Sequence, residues 1–541
     1  MKERFLNILS SIEFKIVLFV FAIIYSLNFI FFGLDFTDTF FWINLIPNFN
    51  SNPMVSGTLV IGKFWSFIFG DSLISFRILA SIMGSMAIIL PYVFLIDKKL
   101  WVIKLHYLSF SMLLLKNPIF GSDVVTLLVF SIALIFTIKF YQTHKISFVF
   151  LMGFITAFSI FVRFPNVLLF PVMIIGIVLI ETVNKRSFKG LLLNTIKLTL
   201  LFVAIFGISF YLFSLLLHGG VTDYVVGVKS SLLSVSNSSH SMPKMVEFIF
   251  VEFKKIVLYL GIFFLLDFLI QIFIKNYSRF GKYITLLFTI ILLFYFMYSE
   301  IYGSPYDHNL KLFFSSLFFY FILKGVLFKF ERQDYNSLTT YLLMISFAFV
   351  VPLGSNTGLS KLAPLLICFL PVVLIDFGFK FKENIYLIPL LFIVLFFVFL
   401  SYSKPFEDSR IHKLSAIVKT ENKLIGIHTT PIRAKYINQV MSDFNHFKAT
   451  NKIVFFGWQS HLFYYLTKEM PLYKQSFAMS PNDDNDVQFL KRNLKSRPII
   501  FYVTNYPEDK NLFLEMSKLE KMLLTFGYKS IQRDCYKIFT Y

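Results

Sequence analysis

Long apolar runs alternate with short polar loops over residues 14–403. A membrane-spanning helix needs about 20 mostly apolar residues. By that measure the runs 14–33, 76–96, 100–116, 124–140, 146–162, 167–183, 191–217, 255–275, 284–300, 311–329, 337–353, 363–379 and 385–403 predict about thirteen spans. The pattern changes at Ser403-Lys404-Pro405-Phe406-Glu407-Asp408, after which short mixed segments replace the long runs. There Lys423–Ile427, Lys452–Phe456 and Pro498–Thr504 read as strands, and Arg433–Phe447 and Val487–Leu494 as helices. Alternating strands and helices predict a small soluble α/β domain. The expected architecture is therefore a polytopic α-helical membrane domain at 1–404, with a long first loop at 34–75, followed by an α/β domain at 405–541.

Composition supports the membrane reading. The chain is 57% hydrophobic and only 15% charged, with 73 phenylalanines, against roughly a quarter charged residues in a soluble domain. A net charge of +20 would suit a nucleic-acid binder. The cations, however, collect in short loops such as Lys98/Lys99/Lys104, Lys185/Arg186/Lys189 and Lys380/Lys382. That is the positive-inside pattern, so no nucleic acid is expected as a partner. With the basic loops inside, the N-terminus is cytoplasmic, and an odd number of spans carries the C-terminal domain to the periplasmic or extracytoplasmic side of a bacterial inner membrane. Lys2 and Arg4 precede the first apolar run without a small-residue cleavage site, so that run is read as an uncleaved helix. Cys368 and Cys535 are too few for a cysteine-based metal site and too far apart to suggest a disulfide.

Two loops on the outer side are long. The second, from His218 to about Lys254, holds the Ser-rich stretch Ser230–Ser241 and is expected to act as a mobile gate. The first begins with two carboxylates, Asp35 and Asp38, at the mouth of the first span, within a helical turn of the headgroup level. Asp38 has two readings: a cap for a following helix, or a general base that takes the proton of an attacking hydroxyl, with the aromatic residues after it free to stack on a sugar. Segment 58–69 has amphipathic spacing, with Leu59, Trp65, Phe67 and Phe69 beside Lys63 and Ser66, as in a helix lying along the interface. Lys63 can bind a lipid phosphate or snorkel. Arg163, in Val162-Arg163-Phe164-Pro165-Asn166, reads either as a snorkelling side chain or as a phosphate clamp. Asp123 stands where the second outer loop enters a span, as a cap or a site residue. Arg77 opens the second span and is expected to meet a carboxylate or headgroup. Tyr306, Asp307, His308 and Lys311 cluster in one short loop, but one histidine beside one aspartate is too little for a metal site. Neither metal nor cofactor is expected, and no glycine-rich phosphate loop follows any strand.

The run Asp38-Thr39-Phe40-Phe41, then Pro53, then Gly62-Lys63-Phe64-Trp65-Ser66-Phe67-Ile68-Phe69-Gly70-Asp71-Ser72 and Ser75-Phe76-Arg77 resembles the first periplasmic loop of GT-C membrane glycosyltransferases. Within that superfamily it is most similar to the protein mannosyltransferase and lipid A aminoarabinose transferase branch. The resemblance covers roughly residues 10–405 and implies a GT-C-like fold. It also implies an inverting sugar transfer from a polyprenyl-phosphate donor to a lipid, glycan or protein acceptor on the outer face. By that resemblance Asp38 matches the catalytic aspartate, and Asp123 and Arg163 fall where the family places polar and basic residues; with Asp35, Lys63, Tyr306 and His308, read from their own position and charge, they are the expected substrate-binding residues. Thr39 stands where the family usually has glutamate, and Asn52 where it has a basic residue before the proline. A transporter or flippase of lipid-linked sugars, or a non-catalytic assembly protein, are the alternative readings of such a chain.

Overall fold

The computed structural model describes residues 12–36, 38–95, 119–184, 188–235, 242–276, 308–331, 335–352, 359, 408, 411–418, 422–448, 452–457, 459–469, 484–503 and 517–541. The membrane part comprises helices α1 (Ile12–Leu27), α2 (Asp38–Leu45), α3 (Ser56–Phe69), α4 (Leu73–Leu95), α5 (Ser122–Thr143), α6 (Ile146–Val162), α7 (Leu169–Asn184), α8 (Phe188–His218), α9 (Val221–Val235), α10 (Met242–Asn276), α11 (His308–Glu331) and α12 (Tyr335–Val350). Among the described residues, four stretches are long and apolar enough to cross a membrane: Leu73–Pro91, Ser122–Thr143, Phe164–Val183 and Lys189–His218. The expected spans 100–116, 284–300, 363–379 and 385–403 and the boundary at 404/405 lie outside the described residues.

Burial sorts these helices. The stretch Leu73–Pro91 is 72% buried inside the protein and Lys189–His218 only 17%. The first is central. The second keeps an apolar surface, with Leu193 and Leu216 turned outward, as a lipid-facing helix must.

Two expectations fail for physical reasons. The apolar run 14–33 is not one helix: α1 stops at Leu27 and the chain then turns. Phe29 and Leu34 are fully buried, so their apolarity serves protein packing, which a length measure cannot tell from contact with lipid. The segment from His218 to Lys254 is largely helical where it is described, in α9 and the start of α10, and residues 236–241 of its Ser-rich stretch lie outside the described residues. Gly219, at φ +82°, turns the chain between α8 and α9. Lys423–Ile427 is not a strand: Asn422–Leu424 forms a 3-10 turn, and the strand is His428–Thr429.

The C-terminal part contains β1 (Ala416–Ile417), β2 (His428–Thr429), α13 (Pro431–Phe447), β3 (Ile453–Phe456), α14 (Ser460–Thr467), α15 (Asp484–Asn493), β4 (Ile499–Val503), α16 (Lys518–Thr525), β5 (Lys529–Gln532) and β6 (Tyr536–Thr540). β1 and β2 pair antiparallel. The other strands form one sheet in the order β3-β4-β6-β5. β3 and β4 are parallel, with Val454 opposite Ile500, and β6 closes antiparallel against both β4 and β5. All nine residues of the two parallel strands are buried, as continuous apolar runs covered on both faces should be. Edge strand β5 is polar and mostly exposed, which discourages pairing with another chain.

Alternation along these strands decides what each face does. Val454, Phe456, Ile500 and Tyr502 pack with Leu490, Leu519 and Leu523 of α15 and α16. Ile453, Phe455, Phe501 and Val503 belong to the same core as Phe29, Phe36, Phe40 and the central membrane helices. The sheet therefore shares its second face with the first loop.

Candidate functional site at the first loop

The loop that carries Asp35 and Asp38 is held by backbone pairing and buried charges. Gly33 sits at φ +81°, a conformation that favours glycine. Its N–H donates to the His428 carbonyl at 2.8 Å, and the His428 N–H donates to Phe31 O at 2.7 Å. From the membrane side the buried Arg77 guanidinium donates to Ile30 O at 2.7 Å and Gly33 O at 2.8 Å. Arg77 was expected to reach a carboxylate or headgroup: its guanidinium interacts electrostatically with the Asp35 and Asp408 carboxylates, and it also donates to these two carbonyls of the turn that follows α1.

A second buried arginine works from the C-terminal side. Arg433 Nη1 donates to Leu34 O at 2.7 Å, and its Nε lies 3.4 Å from Asp408 Oδ1. Asp408 Oδ2 accepts the Leu34 N–H at 3.0 Å and the Thr429 hydroxyl at 2.5 Å. The guanidinium also lies over the Phe36 ring, 5.2 Å from its centroid. Charge periodicity did not single out Asp408 or Arg433. One signal was available: a cation in the first turn of α13 opposes the helix dipole and so calls for a specific partner.

Helix α2 is then pressed between the bundle and α14. Phe40 packs on Tyr465 with centroids 5.1 Å apart, and Phe41 meets His461 edge-on at 5.7 Å. Asn44 Nδ2 donates to His461 O at 2.8 Å. Beyond α3, the Tyr465 hydroxyl donates to Asp71 O at 2.7 Å, and Lys423 lies 3.6 Å from the Asp71 carboxylate. On the bundle side, a Cβ on Gly121 would stand 2.7 Å from Trp42 Nε1, so only glycine admits the indole there.

Within this frame the two carboxylates differ. Asp35 is 2% exposed and accepts the Thr39 N–H at 2.8 Å; it caps α2. Asp38 is the first residue of α2 and is exposed. Lys63, on α3, is also exposed, with its ammonium 4.6 Å from the centroid of Phe49. The first half of α3 is buried and pinned by the Thr58 hydroxyl, which donates to Val162 O at 2.9 Å. The second half presents Phe64, Phe67, Ile68 and Phe69 outward, and Trp65 Nε1 donates to Ser75 O at 3.0 Å.

Arg163 and Asp123 come together, the arginine buried and the carboxylate exposed. The arginine is 8% exposed; its Nη1 donates to Val351 O at 3.0 Å and lies 4.0 Å from Asp123 Oδ1. It joins the ends of α5, α6 and α12. Tyr306 lies outside the described residues, and His308 opens α11. No group of three or more potential metal ligands occurs among the described residues.

Sequence reasoning passed over two buried polar residues behind α2. Both side-chain polar atoms of Gln459 and the Nδ1 of His461 lack hydrogen-bond partners among the described residues. Burial lowers the His461 pKa to about 4. An unfolded histidine titrates near 6.5, so between about pH 6.5 and 4 the unfolded chain holds the extra proton. The histidine's contribution is complete above pH 6.5 and is lost as the pH falls towards 4, by about 3 kcal/mol. The full chain should therefore melt at steadily lower temperature over that window, and His461→Phe should flatten the profile. A profile in the variant as steep as that of the wild type would assign the titration to another group.

Compared with known proteins, the sequence matches no protein-family model and no curated protein, so the site is read from its own geometry.

Proposed function

We propose that this protein is a membrane glycosyltransferase that takes a sugar from a polyprenyl-phosphate donor and places it on a hydroxyl acceptor at the outer face, with Asp38 as the general base. The observation that carries the reading is an exposed carboxylate on a rigid mount. Asp38 is exposed, whereas the loop leading to it is fixed by Arg77, Arg433 and Asp408. Catalysis needs a base held in place yet open to substrate.

In this reading the acceptor hydroxyl gives its proton to the Asp38 carboxylate as its oxygen bonds to the sugar C1. The C1–O bond to phosphate breaks, and the polyprenyl phosphate leaves with the electron pair. Lys63, the exposed cation of the same loop, receives the charge that develops on the departing phosphate. Asp35 and Arg163 take supporting roles, since the first caps α2 and the second joins helix ends. The acceptor is a lipid, glycan or protein, and membrane lipids surround the site.

The test is donor turnover. The full chain, reconstituted in liposomes with a radiolabelled polyprenyl-phosphate sugar and an extract of envelope acceptors, should release polyprenyl phosphate and label an acceptor. Donor that stays intact across hexose, aminosugar and pentose forms would reject the reading.

A further inference from the structure

The outer ends of α6 and α8 and the helix α9 enclose an apolar groove of about 640 Å³, within the range of roughly 300–1,000 Å³ usual for ligand sites. Phe164, Phe206, Phe210 and Val228 line it, Tyr224 borders it, and Lys229 is its charged residue. No carboxylate is among the lining residues. Tyr224 is 2% exposed and its hydroxyl has no hydrogen-bond partner among the described residues.

We propose that this groove seats an acyl chain of an anionic diacyl phospholipid, with the lipid phosphate at Lys229. The inference stands independently of glycosyl transfer. Three features select the occupant. The lining is aromatic and aliphatic, which suits a hydrocarbon chain. A single exposed lysine at the edge gives charge complementarity to one phosphate. The groove also opens beside α8, whose apolar surface faces outward, so membrane lipid is present at a concentration that fills a matching site by mass action. Asp38 and Lys63 do not line this groove, so its occupant is distinct from any ligand of the first loop.

The experiment uses the delipidated full chain in mild detergent and follows its melting midpoint as lipid is added. Phosphatidylglycerol should raise the wild-type midpoint by several degrees, and more than phosphatidylcholine does. Val228→Trp fills the groove and should abolish the rise; Val225→Asp, at the exposed edge, should do the same without disturbing the interior. Lys229→Gln should leave a rise that no longer distinguishes the two headgroups. The proposal is overturned if phosphatidylglycerol leaves the wild-type midpoint unchanged or raises both groove variants equally. It is equally overturned if Lys229→Gln retains the headgroup preference. A polyprenyl phosphate that outperforms phosphatidylglycerol at equal concentration would assign the groove to the prenyl lipid.

Discussion

Replacing Asp408 with alanine should cost on the order of 3–5 kcal/mol and free the C-terminal part from the first loop. The carboxylate is buried and serves three donors at once: the Leu34 N–H, the Thr429 hydroxyl and the Arg433 guanidinium. Its removal takes a facing carboxylate from the Arg433 charge, which is 5% exposed, and losing a buried partner costs far more than an exposed pair is worth. The Leu34 N–H loses its acceptor as well. The melting midpoint should fall, and limited proteolysis should cut more readily near residues 404–410. Asp408→Asn keeps an acceptor for Leu34 and should cost less. Equal stability of wild type and Asp408→Ala would show that the buried charges are not what joins the two parts.

The second large effect concerns rate. Asp38→Asn removes the proton acceptor but keeps the shape, and loss of a general base lowers turnover by about 10²- to 10⁴-fold. Because Asp38 is exposed, stability should change by less than about 1 kcal/mol, chiefly through its favourable charge at the start of α2. Asp35→Ala should behave in the opposite sense. It removes the cap on the Thr39 N–H and should cost about 0.5–2 kcal/mol in stability. Measuring donor turnover and melting midpoint on both variants separates the roles. Near-normal turnover in Asp38→Asn would remove that residue from the base role. A rate loss confined to Asp35→Ala would transfer the role to Asp35.

Much of the helical structure was legible because lipid imposes a simple rule. Runs such as 124–140 and 191–217 are predominantly apolar over a length sufficient to cross a bilayer, and α5 and α8 lie there. The parallel strands β3 and β4 were legible for a related reason, since strands buried on both faces are continuously apolar. The misreadings arose where apolar character had another cause. Phe29 to Leu34 looked like the end of a span because burial against protein and burial in lipid leave the same composition. The strand at His428–Thr429 was placed too early in the chain: it is only two residues long, pairs with the equally short β1 and is extended at His428 by backbone bonds to Phe31 and Gly33, so it has too few residues to show an alternating pattern.

The candidate site divides in the same way. Asp35 and Asp38 stood out from their position at the end of an apolar run, but sequence could not say which one was engaged. Their environments, one buried and capping, the other exposed, follow from the turn at Gly33 and from Arg433 reaching across from the distant α13.

Taken alone, the amino-acid sequence determined a largely helical chain with runs long and apolar enough to cross a membrane and a mixed α/β segment after it, because hydropathy and strand periodicity are local properties. Only the tertiary structure decided that the sheet shares its core with the first loop, that two buried arginines and one aspartate hold that loop, and that α9 closes a groove beside α8. Those outcomes depend on which distant surfaces desolvate one another, and no local period in the chain encodes that.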